Sequence, residues 1–230
     1  MIPTTLGGES TTDIIPEDVR AWVIELRVFI VEDLKSARRF LRKLDRTFPI
    51  DDSTFFVLNK KTPASDLISF IQPALKGQNI GVMSDAGCPG VADPGAAMVG
   101  IAHQHGIRVQ PLVGPSSILL ALMGSGFSGQ EFTFHGYLPK ERKDRIYALK
   151  NFEGDNRRTG ATHLFMDTPF RNMNVLDDLL NELTDTTMLC IASSITLPQE
   201  DIRTMAIKDW REKAYDLAKK PTIFAIGKIQ

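Results

Sequence analysis

The sequence predicts an α/β protein of two α/β domains, a largely parallel sheet in the first and a mixed sheet in the second. Three observations predict it. Through residues 1–112, short β-branched or aromatic runs alternate with amphipathic stretches, the pattern of a parallel sheet covered by helices. Beyond residue 113 strand-like runs recur, and two of them are separated only by a polar connector, which implies an antiparallel hairpin. The 230 residues are 43% apolar and 24% charged, so the chain has length and apolar content enough for a packed core.

The elements follow in order. The chain opens on Pro3, Thr4, Thr5, Leu6, Gly7 and Gly8, a turn-rich stretch with only Met1 and Ile2 before it; if a first strand belongs there, it is shortened. Strands are expected at Arg27 to Val31, Thr54 to Leu58, Ile80 to Met83 and Ile107 to Pro111, with helices at Leu34 to Thr47, Ala64 to Leu75 and Pro94 to His105. The last helix has Asp93 as its N-cap, Pro94 at its first position and Gly106 after its end. His103 and His105 sit where imidazoles favour a helix C-terminus, and with no third ligand nearby no metal site is expected. After the turn at Gly114 and Pro115, strands are expected at Phe132 to His135, Thr162 to Met166, Met188 to Ser193, Ile202 to Ala206 and Thr222 to Ile226. Helices lie near Glu141 to Asn151, Phe170 to Thr184 and Asp209 to Lys219. The expected domains are residues 1–112 and 113–230.

Composition excludes several classes. With 27 basic and 28 acidic residues the formal net charge is -1, so a nucleic-acid role has to rest on a local patch. One candidate is Lys35, Arg38, Arg39, Arg42, Lys43 and Arg46, a basic helix face opposite Ala37, Phe40, Leu41 and Leu44; the bland alternative is a solvated outer face. A second cluster, Lys140, Arg142, Lys143 and Arg145, is interleaved with Glu141 and Asp144 and reads as an ordinary soluble helix. No apolar stretch approaches a membrane span and no signal-peptide pattern opens the chain, which makes a cytoplasmic location the expectation. Cys88 and Cys190 lie far apart, in no CxxC spacing, and read as free thiols.

The chemistry points to loops. Residues 84–95, SDAGCPGVADPG, join a strand to a helix, the place where α/β proteins bind small ligands. The loop is neither GxGxxG nor GxxxxGK[ST], so it signals neither a dinucleotide nor a nucleoside triphosphate. Its glycines and prolines leave two readings open, a tight capped connection or a cradle of bare backbone around a ligand. Gly114 to Ser117 is a second loop of this build and the opening Pro3 to Gly8 a third. No paired nucleophile and base stands out. A reaction between an activated donor and a waiting nucleophile can draw about 7–11 kcal/mol from positioning alone, and methyl transfer from a sulfonium is such a reaction.

Six motifs in order carry a family resemblance: IPTTLGG near the start, VEDLKSAR at 31–38, SDAGCPGVADPG at 84–95, GIRVQPLVGPSS at 106–117, GYLPKERKDR at 136–145 and FMDTPFRN at 165–172. The chain resembles the tetrapyrrole methylase family, the class III S-adenosylmethionine-dependent methyltransferases, nearest the branch that methylates a ribose 2′-hydroxyl of small-subunit ribosomal RNA. The resemblance implies two α/β domains with S-adenosylmethionine in the cleft between them, a homodimer, and RNA as substrate. It implies cofactor contacts from Pro3 and Gly7, from Asp85, Ala86, Gly87, Pro89, Val91 and Ala92, from Ser116 and Ser117, from Phe165 and Met166, and from Thr196, Pro221 and Thr222. Asp85, Glu32, Lys35 and Arg171 are the polar residues it offers for substrate positioning or proton removal.

The chain also departs from that branch. Ser193, Ser194, Ile195, Thr196 and Leu197 stand where RELTK is usual, Asp167 to Arg171 where ESPHR is usual, and Glu32 to Lys35 where EDTR is usual. The family commonly has Thr at the place of Cys88, and the ribosomal enzymes often carry a helical extension beyond the last strand. Fewer cations mean fewer phosphate contacts. Two alternatives therefore stand beside RNA methylation: a catalytically silent cofactor-binding protein, and a methyltransferase acting on a tetrapyrrole or other small molecule.

Overall fold

The computed structural model describes residues 1–59 and 61–229. The chain forms two compact units, Met1–Ser116 and Ser117–Gln230.

The first unit holds helix α1 (Glu17–Ile24), strand β1 (Val28–Val31), α2 (Leu34–Leu44), β2 (Thr54–Val57), α3 (Ala64–Phe70), α4 (Gln72–Leu75), β3 (Gly81–Met83) and α5 (Gly95–Gln104). Its three strands form a parallel sheet in the order β2-β1-β3. All four residues of β1 are buried, as a central parallel strand covered on both faces requires. Phe29 and Val31 point into one cluster with Ala37, Phe40, Leu41 and Leu44 of α2, while Ile30 joins Leu58, Ile71 and Met98 on the other face. The period of two thus sorts one strand between two cores.

Helix starts and stops follow local chemistry. The Asp33 carboxylate accepts the Ser36 N–H at 2.8 Å and caps α2. The helix ends at Leu44, short of the expected Thr47, because the Asp45 side chain accepts from both the N–H and the hydroxyl of Thr47 and turns the chain. The expected helix over 64–75 is broken at Ile71, since Pro73 in the first turn of α4 cannot continue the preceding ladder. Helix α5 starts at Gly95, one residue later than expected, so Pro94 takes the N-cap in place of Asp93, whose carboxylate takes the N–H of Gly95 at 2.8 Å; Gly106 follows its end at φ +66°. Helix α1 has no counterpart in the sequence reading, because it buries only Val19 and Val23 and shows no broad apolar stripe. Ile107 to Pro111 is not a strand: it pairs with no neighbouring strand and leaves β3 at the edge of the ladder.

The second unit holds α6 (Ser117–Ser125), β4 (Phe132–Tyr137), α7 (Arg142–Thr159), β5 (Thr162–Met166), α8 (Asn172–Glu182), β6 (Met188–Ser193), β7 (Asp201–Ala206), α9 (Ile207–Arg211) and β8 (Thr222–Gly227). Its five-stranded sheet runs β4-β5-β8-β6-β7, with β4 parallel to β5 and every other pair antiparallel. The hairpin β6–β7 is the one expected from the polar connector. Phe165, Phe224, Leu189, Ile191 and Trp210 fill the core under α8 and α9, and the Trp210 indole N–H reaches the Leu189 carbonyl at 2.9 Å.

Three helices differ in extent from the expectation. Helix α7 runs eight residues past Asn151, to a Gly160 C-cap at φ +84°. Helix α8 starts two residues after Phe170 and ends two before Thr184. Helix α9 is one short turn where Asp209 to Lys219 was expected; Tyr215 meets Trp210 edge-on at 5.0 Å and Leu217 is buried from irregular chain, so no further helix is needed to cover the core. The Lys140 to Arg145 cluster is also not merely a solvated face. Arg145 is 5% exposed and meets the buried Asp178 at 2.7 Å, while Arg142 contacts Asp178 at 2.8 Å and Glu182 at 3.4 Å. Among the described residues, no helix is long and apolar enough to cross a membrane.

Candidate functional site

In the first unit the opening loop folds onto the loop after β3. Thr4 pairs with Gly87, its N–H reaching the Gly87 carbonyl at 2.9 Å, and its hydroxyl donates to the Ser84 carbonyl at 3.4 Å. Gly114 lies directly under Pro3, whose ring would meet a Cβ there at 2.2 Å, so only glycine lets the 112–116 segment come this close. Cys88 Sγ sits 3.3 Å from the Pro115 carbonyl. The three loops singled out in the sequence therefore converge at the carboxyl ends of the unit's parallel strands, where open α/β sheets bind ligands.

A hollow of about 310 Å3 opens beside them, lined by Gly7, Asp85, Ala86, Ser36, Arg39 and Lys43 among others. Lys43 ties the opening loop to α2, donating to the Gly8 carbonyl at 2.6 Å and pairing with Glu9 at 3.2 Å. Glu32 at the end of β1 accepts the Asp85 N–H at 3.4 Å. Partial burial, and then the neighbouring Asp33 carboxylate, push the Asp85 pKa above the ordinary aspartate value, while Ser36 pulls against them. Asp85 is thus a better proton acceptor than a free carboxylate. Lys35 is exposed on the first turn of α2.

The rest of the loop is held by Asp93, whose Oδ1 accepts from Gly90 at 2.7 Å as well as from Gly95. Gly87 and Gly90 take positive φ, and so does Ala92 at +63°, a conformation that side chains resist and that marks a constrained backbone. Val91 and Ala92 are exposed, with Pro89 half-buried. Burial, then the charge of Asp93, raise the Cys88 thiol pKa, and burial pushes Cys190 up to about 11, so neither thiol is primed as a nucleophile. Ser116 closes this unit.

In the second unit the functional candidates gather at one edge of the sheet. β5 ends at Met166, β8 begins at Thr222 and β6 ends at Ser193; these strands are neighbours, so Asp167, Pro221 and Ser194 follow or precede them side by side. Ser194 N–H donates to the Pro221 carbonyl at 2.8 Å. Ser194 and Thr196 both take positive φ, at 52° and 69°. Arg171 pairs with the buried Asp167, and Asn172 donates to the Lys220 carbonyl at 2.7 Å. Phe165 is fully buried and stacks on Phe224 at 5.8 Å, so its ring belongs to the core; Met166 is half-buried. Ser117 is the first residue of α6.

Around that edge Asp167 Oδ2, Arg171 Nη1, Asn172 Oδ1, Ser194 Oγ and Thr196 Oγ1 are buried without a hydrogen-bond partner among the described residues. A buried polar atom left unpaired costs about 1–3 kcal/mol, so five along one edge form a place where a polar ligand or ordered water is stabilised. Asp167 and Asn172 were absent from the residues expected at the site. Asp167 was legible as the acid four residues before Arg171, whereas nothing in the sequence marks Asn172. Among the described residues no cluster of His, Cys, Asp or Glu has the arrangement to hold a metal ion.

No protein-family model matches the chain. Curated relatives do. The ribosomal RNA small subunit methyltransferase I of Thermotoga maritima is 33% identical over 180 residues, 73% of this chain and 79% of that protein. The enzyme of the same name from Vibrio cholerae is 29% identical over 215 residues, 91% of this chain and 68% of that one. The chain spans about half the length of others of that name, 48% for the one from Halalkalibacterium halodurans at 33% identity over 65% of this chain. In fold it is similar to the methyltransferase CobJ, with a TM-score of 0.62 at 18% identity over 96% of this chain and 91% of that one. It is also similar to uroporphyrin-III C-methyltransferase from Thermus thermophilus, solved with S-adenosyl homocysteine, with a TM-score of 0.54 at 15% identity over 96% and 94% of the two chains.

Proposed function

Since this chain belongs to the ribosomal RNA small subunit methyltransferase I family, we propose that it is a methyltransferase that uses S-adenosylmethionine to methylate a ribose 2′-hydroxyl of small-subunit ribosomal RNA. The observation that carries this reading is the group of five unpartnered buried polar atoms at the edge of the second unit's sheet. A cofactor with ribose hydroxyls, a carboxylate and an ammonium brings the donors and acceptors that these atoms lack. When bound, it supplies a methyl group on a positively charged sulfur, which a nucleophile displaces in line.

The residues put forward to hold it are Pro3, Gly7, Asp85, Ala86, Gly87, Pro89, Val91, Ala92 and Ser116 in the first unit. Those in the second are Ser117, Phe165, Met166, Thr196, Pro221 and Thr222, to which we add Asp167, Asn172 and Ser194. The backbone of the 85–92 loop would present main-chain groups, with Asp93 keeping it in place. Asp85 is put forward to accept the proton of the attacking hydroxyl as its oxygen–carbon bond forms and the carbon–sulfur bond breaks. Glu32 would orient Asp85 through its N–H, and Lys35 and Arg171 would position the acceptor. The fit of these side chains follows from positioning rather than from a catalytic triad. A homodimer in the cytoplasm completes the reading; sedimentation of the purified chain as a monomer at micromolar concentration would count against the dimer.

The test is calorimetric titration with S-adenosylmethionine and S-adenosylhomocysteine, followed by label transfer from the cofactor into small subunits that lack the modification. Binding with label in the ribosomal RNA is the expected result. No binding at millimolar cofactor overturns the reading, and binding without label in RNA or in a tetrapyrrole favours a silent cofactor-binding protein.

A further inference from the structure

Two turns of the second unit meet at their tips. The first follows β5: Thr168, Pro169, Phe170 and Arg171 close a turn in which the Arg171 N–H donates to the Thr168 carbonyl at 2.8 Å. Pro169 presets the second position of this turn and leaves Phe170 at the third. The other precedes β8: Leu217, Ala218, Lys219 and Lys220 close a turn in which the Lys220 N–H reaches the Leu217 carbonyl at 3.1 Å, with Lys219 at its third position. The Lys219 N–H donates to the Pro169 carbonyl at 3.2 Å, so Phe170 and Lys219 are held next to each other. Both turns are braced from beneath. The buried Asp167 accepts the Thr168 N–H at 2.6 Å and pairs with Arg171. The Asn172 amide donates to the Lys220 carbonyl at 2.7 Å, and Leu217 is wholly buried with its N–H on the Met173 sulfur at 3.2 Å.

These braces hold two side chains out into water. Phe170 is 83% exposed, the highest value among the large apolar side chains described, and no ring of the described residues stacks on it. Lys219 takes φ +60°, a conformation that glycine adopts freely and a side chain resists. Its exposed ammonium forms no ion pair among the described residues. The neighbouring Asp216 gives its carboxylate to the Ala218 N–H at 2.8 Å, and the Lys220 ammonium is engaged by the Asp216 carbonyl at 2.7 Å. A lone exposed phenylalanine is ordinary on a protein surface; one fixed on a braced turn beside a strained, unpaired lysine is not. Both side chains have a physical reason to be there if they meet a ligand. A flat apolar ring beside a free cation matches a nucleotide, whose base offers a π face and whose phosphate offers a charge. The pair adjoins Asp167, Arg171 and Asn172, three of the residues that carry unpartnered buried atoms, so a base lying there is close to the groups put forward to hold the cofactor.

We propose that Phe170 and Lys219 form a platform for the acceptor RNA, on which an unstacked base of a single strand lies against the Phe170 ring and an adjoining phosphate meets the Lys219 ammonium. The proposal rests on the reading of the chain as an RNA methyltransferase and adds where the strand is held. Single-stranded RNA offers splayed bases that stack on aromatic side chains, whereas a paired strand keeps its bases stacked on one another. Stacking of this kind tolerates any base, so the platform fixes the position of the strand and leaves its sequence to be read elsewhere.

The experiment measures label transfer from S-adenosylmethionine into small subunits that lack the modification, with cofactor affinity by calorimetry beside it. It compares the full chain with Phe170→Ala, Phe170→Trp and Lys219→Gly. Phe170→Ala is expected to raise the KM for the subunits about tenfold or more with the cofactor Kd unchanged, and Phe170→Trp to keep the parent value. RNA should also quench the introduced indole beyond the change shown by the parent, whose tryptophans are Trp22 and Trp210. Lys219→Gly should raise the KM as well and lower the salt slope of RNA binding by about 0.7. Its melting temperature should stay the same or rise, a split that a merely structural lysine would not give. An unchanged KM in either Phe170→Ala or Lys219→Gly, with the parent active, overturns the platform and leaves the methyltransferase reading standing. Loss of cofactor affinity in Phe170→Ala assigns the ring to the cofactor's adenine and overturns it too. A parent that labels no RNA overturns the RNA reading and the platform together.

Discussion

His135 and Asp155, both half-buried, form a chain through the buried His163. The two imidazoles are 2.9 Å apart, His163 lies 3.1 Å from Asp155, and the His135 ring stacks on Phe152 at 3.8 Å. Burial, then the neighbouring imidazole, lowers the His135 pKa; burial lowers that of His163 although Asp155 pulls it up. Unfolded, each would take its proton near pH 6.5; folded, only at lower pH, so stability present above that value is lost as pH falls below it. The melting temperature of the second unit is expected to drop between pH 7.5 and 5.5, and His135→Phe, which keeps the stack, to flatten the drop; calorimetry at several pH values checks both. The Arg145–Asp178 pair makes a sharper demand. Arg145→Ala leaves a 3%-exposed carboxylate with Arg142 alone, and a loss of about 3–5 kcal/mol is expected in urea denaturation.

Helix α2 is the element whose two faces carry separate tasks. Its apolar stripe of Ala37, Phe40, Leu41 and Leu44 is buried, and its outer side exposes Lys35, Arg38, Arg39 and Arg42, with Arg46 exposed in the turn that follows. Arg38 lies over the Phe55 ring at 5.4 Å, and Arg42 donates to the Arg46 carbonyl at 2.6 Å. If RNA is the substrate, replacing Arg38, Arg42 and Arg46 with Gln should weaken RNA binding and reduce its salt slope by about one unit for each arginine that meets a phosphate. Cofactor affinity should not change, and filter binding across a salt series beside calorimetry checks the split. This helix was legible because its stripe, its cap and its charges all lie within a dozen residues. So were the strands written as short, largely apolar runs, Val28–Val31 and Met188–Ser193. What local pattern could not show is anything set by partners far along the chain. Ile107 to Pro111 has the composition of a strand and no ladder to join, and Arg145 reads as a surface charge until Asp178, 33 residues on, comes to meet it. The site divides the same way: glycine and proline marked the loops, but the unpaired Asn172 Oδ1 arises only from packing.

At the scale of the molecule, the two units differ in how they build a sheet. The first strings parallel strands through helical crossovers and gathers three separate loops at their carboxyl ends. The second places its candidate groups on a single sheet edge, supplied by β5, β6 and β8. Each unit carries its own core, so a substitution such as Arg145→Ala should lower the stability of one without a direct packing loss in the other.

The place of β8 sets a timetable. It is the last strand in sequence, yet it lies in the middle of its sheet, between β5 and β6. Until residues 222–227 emerge, the earlier strands form two separate pairs, β4 with β5 and β6 with β7, each with an open hydrogen-bonding edge. Loop closure over such distances is slow, and open edges invite pairing with other chains. During synthesis the first unit can therefore settle while the second waits, leaving the edges of β5 and β6 unpaired until β8 slides between them.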